Sequence, residues 1–508
     1  MSYLELLKLV SPEAIVVISA LVVLAIGLTS RRATAVAGVS LAKPSTRTGS
    51  ATAATGWCSL VAALGVVIAI AAVLILPRNA SLFGGMLVIT PLTSLFKIIC
   101  LVLAFFTVCL ARSEKSLRHP GEYLAIILLA TVGLMLLVGT EELLMIFIGL
   151  ELLGLSLYMM AAFDKTDVRS AEAGLKYFLF GSTSSAFTLF GISLIYGMSS
   201  STGLASISEK LAAAPVQPLF ATGIIMTLVG FAFKIAAAPF HLWAPDAYQG
   251  APISSAAFIA SGSKVASFVV LGKIVLVGFG PAHGSSAWHA MTAGWSPILA
   301  VLAALSILIG NLVALAQTNV RRLLAYSAVA HAGYTLLGLV AGGRDGFSAT
   351  LFYATVYAIT LIGAFGVVAV VRSQSGGDDL EDFSGLAARA PLLAGCMAIF
   401  MFSLAGIPPL AGFFGKFYLF SAALRAGGDH GLLWLVALAL FGSFVSLYYY
   451  LIVLKAIFVN QSSHTATALD HVSSDLLQRI TVTVLAAAIL FFGIMPDILA
   501  SRILAAMP

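Results

Sequence analysis

The sequence predicts an all-α polytopic membrane protein of about fourteen transmembrane helices. Three observations carry that prediction. Of 508 residues, 60% are apolar and only 9% are Asp, Glu, Lys or Arg, whereas about 25% of a soluble domain is charged. Mean hydropathy is +1.05. Apolar runs recur from Ile15 to Ala506, and runs such as Ile15–Leu28 are apolar all round where a membrane β-strand would alternate. A soluble enzyme, a disordered scaffold, a single-anchor protein and a β-barrel are thereby excluded. The net charge of +6 reports topology in the lipid bilayer and gives no reason to expect a nucleic-acid partner.

With about 20 residues per span as the ruler, and Gly, Pro and charge clusters as punctuation, the helices centre near Leu21, Gly65, Leu103, Thr131, Leu150, Phe187, Gly230, Ser267, Ser306, Tyr334, Ile359, Phe402, Gly442 and Leu490. The first follows a net-neutral start (Glu5, Lys8) and precedes Arg31 and Arg32, the pattern of an uncleaved helix and not of a signal peptide. Cys58, Cys100, Cys109 and Cys396 lie in apolar runs without a C-x-x-C pair, so neither a disulfide frame nor a four-thiolate cluster is expected. The odd-numbered loops hold most basic residues: Arg31, Arg32, Lys43, Arg47; Arg112, Lys115, Arg118; Lys165, Arg169; Arg321, Arg322; Arg372, Arg389. The even loops hold chiefly Arg78, Lys210, Arg344 and Arg425. The positive-inside rule then places the odd loops in the cytoplasm and both termini in the periplasm.

Two spans are interrupted. The seventh runs Phe231-Ala-Phe-Lys234-Ile-Ala-Ala-Ala-Pro239-Phe-His241, and the twelfth runs Leu404-Ala-Gly406-Ile-Pro408-Pro409-Leu-Ala-Gly412-Phe-Phe-Gly415-Lys416. Proline removes a backbone donor and glycine loosens the helix, so both are expected to unwind. They stand five helices apart, the spacing of an inverted five-helix repeat over helices 4–8 and 9–13; two unrelated proline kinks would read the same way.

A charge at the bilayer centre costs on the order of 2.5–3.5 kcal/mol. Four residues bear that cost. Glu151 lies about 13 Å along its helix from Glu141 and Glu142, at ~1.5 Å per residue. Lys234 precedes the Pro239 break. Lys264 lies roughly 18 Å into helix 8, at about twelve residues beyond Pro252, among Ser261, Gly262, Ser263 and Ser267. Lys416 follows the double-proline break. Burial disfavours a charged lysine and a nearby carboxylate restores it, so Glu151 and Lys234 are expected to form a switchable ion pair, with Lys264 linking Lys234 to Lys416 through water. Lone lysines such as Lys97, Lys273 and Lys455 read as snorkelling or interfacial. His241 and His331 stand near helix bodies and are candidate proton relays or packing residues. Lys176, four residues after Glu172, reads either as a surface ion pair or as a cytoplasmic proton inlet. No dinucleotide fingerprint, P-loop or cysteine cluster appears, so no redox or nucleotide cofactor is expected in this chain.

Three strings carry a resemblance: Phe240-His-Leu-Trp-Ala-Pro245-Asp246-Ala-Tyr248-Gln249-Gly-Ala-Pro252, Gln317-Thr-Asn-Val-Arg321-Arg322-Leu-Leu-Ala-Tyr326-Ser-Ala-Val-Ala-His331-Ala-Gly-Tyr334, and Leu404 through Tyr418. They resemble the antiporter-like membrane subunits of respiratory complex I, a proton-pumping NADH:quinone oxidoreductase. Tyr248–Pro252 is most similar to the subunit N (subunit 2) branch. The resemblance implies a single membrane domain with helices 1–3 in residues 1–120, inverted five-helix units in 121–280 and 296–460, and helix 14 in 475–508. It also implies coupled proton translocation, with Glu151, Lys234, Lys264 and Lys416 on the family's helix-5, helix-7, helix-8 and helix-12 positions, and with His241 and Lys176 on family positions too. Relatives often open helix 3 with an acidic residue where this chain has Pro91-Leu-Thr-Ser-Leu-Phe-Lys97. The long lateral extension of subunit L is not expected.

The implied protein is a non-redox subunit in a bacterial inner membrane. Flavin, iron–sulfur clusters and quinone are expected in partner subunits, and the expected neighbours are subunit M and small subunits such as K and J. A multi-subunit cation/proton antiporter or membrane-bound hydrogenase subunit is the alternative, and a purely structural subunit is a third reading against which the four buried charges argue.

Overall fold

The computed structural model describes residues 3–37, 45–114, 117–426, 431–461 and 476–507. Each of the fourteen expected centres falls in a helix. Spans 1–6 are Ser11–Ala37, Ser45–Ile75, Pro91–Arg112, Pro120–Val138, Leu143–Ala161 and Val168–Ser199. Spans 9, 10, 11, 13 and 14 are Trp295–Ala314, Val320–Ala341, Gly343–Ser375, Leu433–Phe458 and Leu476–Ile494. Spans 7 and 12 are broken as expected, into Pro218–Lys234 plus Trp243–Gly250 and Pro391–Ala405 plus Ala411–Arg425. Of the basic loop residues, Lys43 and Lys115 lie outside the described residues.

Span 8 departs from the expected straight helix. It is split at Ser261 into Ile253–Ala260 and Gly262–Lys273, and then runs into a π turn over Ile274–Gly278. Ser261 is non-helical (φ −114°, ψ −82°), and its hydroxyl donates to the Ala257 carbonyl at 2.6 Å. Ser-Gly-Ser loosens a helix without proline, because serine competes for backbone groups and glycine adds no packing.

Loops sort by parity onto two faces. On the odd face, Glu114 between spans 3 and 4 accepts from the backbone N–H of Ile253 (2.6 Å), while Asn319 between spans 9 and 10 donates to Asp378 (2.7 Å) and Asp379 (2.9 Å). On the even face, Val88 N–H donates to Gly139 (2.7 Å), Leu143 N–H to Thr202 (2.8 Å) and Trp288 N–H to Gly431 (3.1 Å). Span 7 therefore starts from the even face and span 12 from the odd face. Each is the fourth helix of its five-helix set, and the two sets run in opposite directions through the membrane, which is the inverted arrangement.

Several elements have no counterpart in the sequence reading, among them the short helices Tyr3–Leu9 and Leu204–Ala213 and a hairpin. Ala80–Leu82 pairs antiparallel with Leu87–Ile89 on the even face, in the register Ala80↔Ile89, around a turn with positive φ at Phe83, Gly84 and Gly85. Strands this short fall below any alternation signal.

Burial identifies the middle of the bundle. In spans 8 and 10, 94% of the apolar window is buried, and in span 11 it is 89%, against 28% for span 1 and 33% for span 6. Phe178, Phe190, Phe441 and Phe444 on outer helices face outward, as lipid-exposed side chains do. Where helices nearly touch, small residues allow it: a Cβ on Gly27 of span 1 would come within 2.9 Å of Gly121 at the start of span 4.

Candidate proton-transfer site

The two breaks are stabilised locally. In span 7, Ser306 of span 9 accepts from the Ala238 N–H (2.8 Å), and the Trp243 indole donates to the Phe233 carbonyl (3.0 Å). Lys234 ends the first half, 16 residues from Pro218 and 16 from Gly250, so it stands at mid-depth. Its ammonium lies 5.6 Å from the centre of the Tyr158 ring, close enough to Gly154 that a Cβ there would sit 2.8 Å from Nζ. Gly154 and Tyr158 share the face of span 5 that carries Glu151, at helical spacings of three and seven residues. The expected Glu151–Lys234 contact is not closed in this structure. Glu151 accepts a hydrogen bond from Ser185 of span 6, and Lys234 is held over the ring of Tyr158, two turns along the helix from Glu151.

Lys264 follows the Ser261 break and is 3% exposed. Its ammonium donates to the Ala328 carbonyl of span 10 at 2.8 Å and lies 5.6 Å from the Tyr357 ring centre. Three residues along the same helix, His331 is buried with both ring nitrogens engaged. Nδ1 meets the Tyr353 hydroxyl at 2.6 Å, Nε2 meets the Tyr450 hydroxyl at 3.0 Å, and the ring lies 5.0 Å from that of Tyr357 and 5.5 Å from that of Tyr334. Lys416 completes the line. It donates to the Ala405 carbonyl freed by the span 12 break (3.0 Å) and to Ser443 (2.9 Å), and lies 5.1 Å from the Tyr334 ring centre. Lys264, Tyr357, His331, Tyr334 and Lys416 thus form one continuous buried sequence of cations and π-faces. Every lysine in it rests on neutral carbonyls, hydroxyls and rings, which solvate a cation without neutralising it.

Lys176 and His241 have partners outside this line. Lys176 pairs with Glu172 (2.7 Å), as its spacing suggests, and also with Asp246 (2.8 Å). Asp246 accepts in turn from Arg322 (2.7 Å), and Gln249 accepts from the same guanidinium (3.1 Å). Arg321 pairs with Asp378 and donates to the Ala251 carbonyl. The Asp246–Pro252 and Arg321–Arg322 strings are therefore two halves of one clamp on the odd face. Burial would raise the Asp378 carboxyl, but Arg321, Asn319 and Arg372 around it outweigh that and hold it below the usual carboxylate range. His241 sits inside the span 7 break with its ring 6.2 Å from that of Tyr326 of span 10.

Two lysines read from sequence as interfacial are not. Lys97 is 1% exposed and pairs with Glu13 of span 1 at 2.6 Å. Lys273 is 4% exposed and donates to the Val138 carbonyl at 3.0 Å. Lys455 is exposed, as expected. Among the described residues no group of three or more His, Cys, Asp or Glu side chains is placed to hold a metal. A surface cavity of about 630 Å³ is lined by groups such as Val216, Ile225, Met291 and Trp295 and includes none of the buried lysines.

Residues 140–446 match the family described as NADH:quinone oxidoreductase/Mrp antiporter, TM. The chain is 46% identical over 510 residues to NADH-quinone oxidoreductase subunit N 2 of Acidobacterium capsulatum, with 98% of each chain covered. It belongs to the NADH-quinone oxidoreductase subunit N family. A 40% identical relative, NADH-quinone oxidoreductase subunit N of Desulforamulus reducens, is matched over 82% of this chain and 85% of its own length. Among solved structures, a chain of Thermus thermophilus respiratory complex I with bound Aureothin is 33% identical, with a TM-score of 0.73 over 96% of this chain and 100% of that one. The membrane-bound sulfane sulfur reductase, an archaeal respiratory membrane complex, contains a chain of the same fold (TM-score 0.81, 24% identity, 99% of this chain and 97% of that one). All the polar groups from Glu151 to Lys416 fall inside the matched stretch, whereas Glu13 and Lys97 fall outside it. The tyrosines and Ser185 escaped the sequence reading. Tyr353 and Tyr357, four residues apart on one helix face, were the available signal.

Proposed function

We propose that this chain is the proton-translocating, non-redox subunit N of a bacterial NADH:quinone oxidoreductase, driven by quinone reduction in partner subunits that carry the flavin and iron–sulfur clusters. The observation that supports it most is the buried line from Lys264 through His331 to Lys416, in which each cation has neutral partners and can lose its proton without stranding a carboxylate. Glu151 and Lys234 act as the switch at one end. When the two close on each other the ammonium is stabilised, and when Ser185 holds the carboxylate the lysine is free to pass its proton through water toward Lys264. The two inverted units, residues 121–280 and 296–460, each contribute one broken-helix lysine. Subunit M and the small subunits K and J are the expected neighbours in the inner membrane, with the odd face cytoplasmic and both termini periplasmic. The relatives named subunit N favour this reading over a cation/proton antiporter or hydrogenase subunit.

The test is proton pumping and quinone reduction measured together in membranes carrying Lys264→Ala or Lys264→Arg. A guanidinium is effectively always protonated. Pumping should therefore fall nearly as far in the arginine variant as in the alanine variant while the protein still assembles. Near-normal pumping by Lys264→Arg would show that a fixed charge suffices there.

A further inference from the structure

Four ionisable groups converge on one peptide segment at the even face, outside the line described above. Span 1 brings Glu13, span 3 brings Lys97, span 8 brings Lys273, and the segment joining spans 4 and 5 brings Glu141. Lys97 is locked against Glu13 at 2.6 Å, with both side chains nearly inaccessible. Its ε-carbon also lies on Gly139, where a Cβ would approach to 2.8 Å. Lys273 approaches the same segment from the other side, donating to the carbonyls of Val138 (3.0 Å) and Thr140 (3.3 Å). Its contact with the Glu141 carboxylate is looser, at 3.7 Å, and that carboxylate is 40% exposed. A buried cation held mainly by carbonyls, next to a second buried cation and a half-exposed carboxylate, is the arrangement of a donor beside its acceptor. In the Glu13–Lys97 pair each charge has its counter-charge in contact, and both are shut off from water.

We propose that Lys273 and Glu141 form a proton outlet from Lys264 to the even face, with the Glu13–Lys97 ion pair beside it. This rests on the proton-translocating reading of the chain. Lys264 and Lys273 share span 8, with the buried Ser267 between them. In the outlet step, one N–H bond of the Lys273 ammonium breaks and an O–H bond forms on Glu141, leaving both groups neutral. Glu141 releases that proton to water at its exposed side and becomes a carboxylate again, and the Lys273 amine is recharged from Lys264 through water.

The experiment compares Lys273→Met, Glu141→Gln and Lys264→Ala in the assembled complex, reading protons moved per NADH oxidised alongside the amount of complex on native gels. Lys273→Met and Glu141→Gln should both lower the proton-to-NADH ratio. A merely structural role would instead lower assembled complex, redox turnover and pumping in proportion, leaving the ratio unchanged. Glu141→Gln keeps the proposal decidable if Lys273→Met does not assemble, because its side chain is half-exposed and stays polar. An unchanged ratio in Glu141→Gln alongside a lowered ratio in Lys264→Ala overturns the outlet and leaves the function standing. An unchanged ratio in all three overturns the function as well.

Discussion

His331 stands at the centre of the buried line with each nitrogen on a tyrosine hydroxyl. A ring so placed can relay a proton or merely pin two tyrosines, and the two roles part in a substitution. His331→Gln keeps hydrogen-bonding capacity but does not titrate near neutral pH. Pumping by this variant should fall with assembly intact, as proton uptake into sealed vesicles would report; unchanged uptake would leave His331 a packing residue. Glu151→Gln is expected to behave similarly, because an amide still accepts from Ser185 but offers Lys234 no charge when the switch closes. The four mid-span charges were legible because a carboxylate or ammonium in an apolar run has no bland explanation. The pairing of Lys97 with Glu13 was not, since the partners are 84 residues apart in sequence and meet only because spans 1 and 3 both pack against spans 2 and 4. The tyrosines were hidden for a different reason: in a sequence this apolar, an aromatic ring reads as core whether or not its hydroxyl is used.

Breaks matter at the scale of the element because they free backbone groups at membrane depth, and each freed group needs a partner. Ser306 supplies one for Ala238. Ser306→Ala should leave that N–H unsatisfied, at a cost of about 1–3 kcal/mol, and the purified complex should lose this chain at a lower temperature than the parent in a thermal melt. The breaks in spans 7 and 12 were legible through their prolines. That in span 8 was not, because Ser261-Gly262-Ser263 looks like ordinary small-residue packing until the non-helical Ser261 is seen. The β-hairpin over 80–89 was equally hidden.

Across the whole molecule, the odd face is tied together by Arg321, Arg372, Asn319 and Asp378, which bridge loops far apart in the chain. Asp378→Asn would leave the nearly inaccessible Arg321 without its counter-charge, a change that typically costs about 3–5 kcal/mol. Less of the chain should accumulate in the membrane, as immunoblots would show. The folded carboxyl lies below its unfolded value, so its stabilisation is present above the unfolded pKa of about 3.9 and is lost as pH falls through the lower folded value. The destabilisation by Asp378→Ala should therefore be largest near neutral pH and shrink as pH falls below about 3.9, so the variant should unfold at a higher pH than the parent in an acid titration; equal destabilisation at all pH values would show that the carboxylate charge is not what matters. Orientation has its own test. Arg322→Cys should react with an impermeant thiol reagent from the cytoplasmic side alone, and labelling of intact cells from outside would reverse the assigned topology.

Glu151, Lys234, Lys264 and His331 all stand near the middle of their spans: Glu151 is eight residues from Leu143 and ten from Ala161, and His331 is eleven from Val320 and ten from Ala341. A charge that moves sideways at constant depth crosses none of the voltage across the membrane. The electrical work of about 2.3 kcal/mol per elementary charge per 100 mV therefore falls on the legs that join this level to either surface. An imposed potential should slow the filling or emptying of the line and leave hops within it nearly untouched, so that only the surface-linked steps would carry an electrical signature in a time-resolved record of charge displacement.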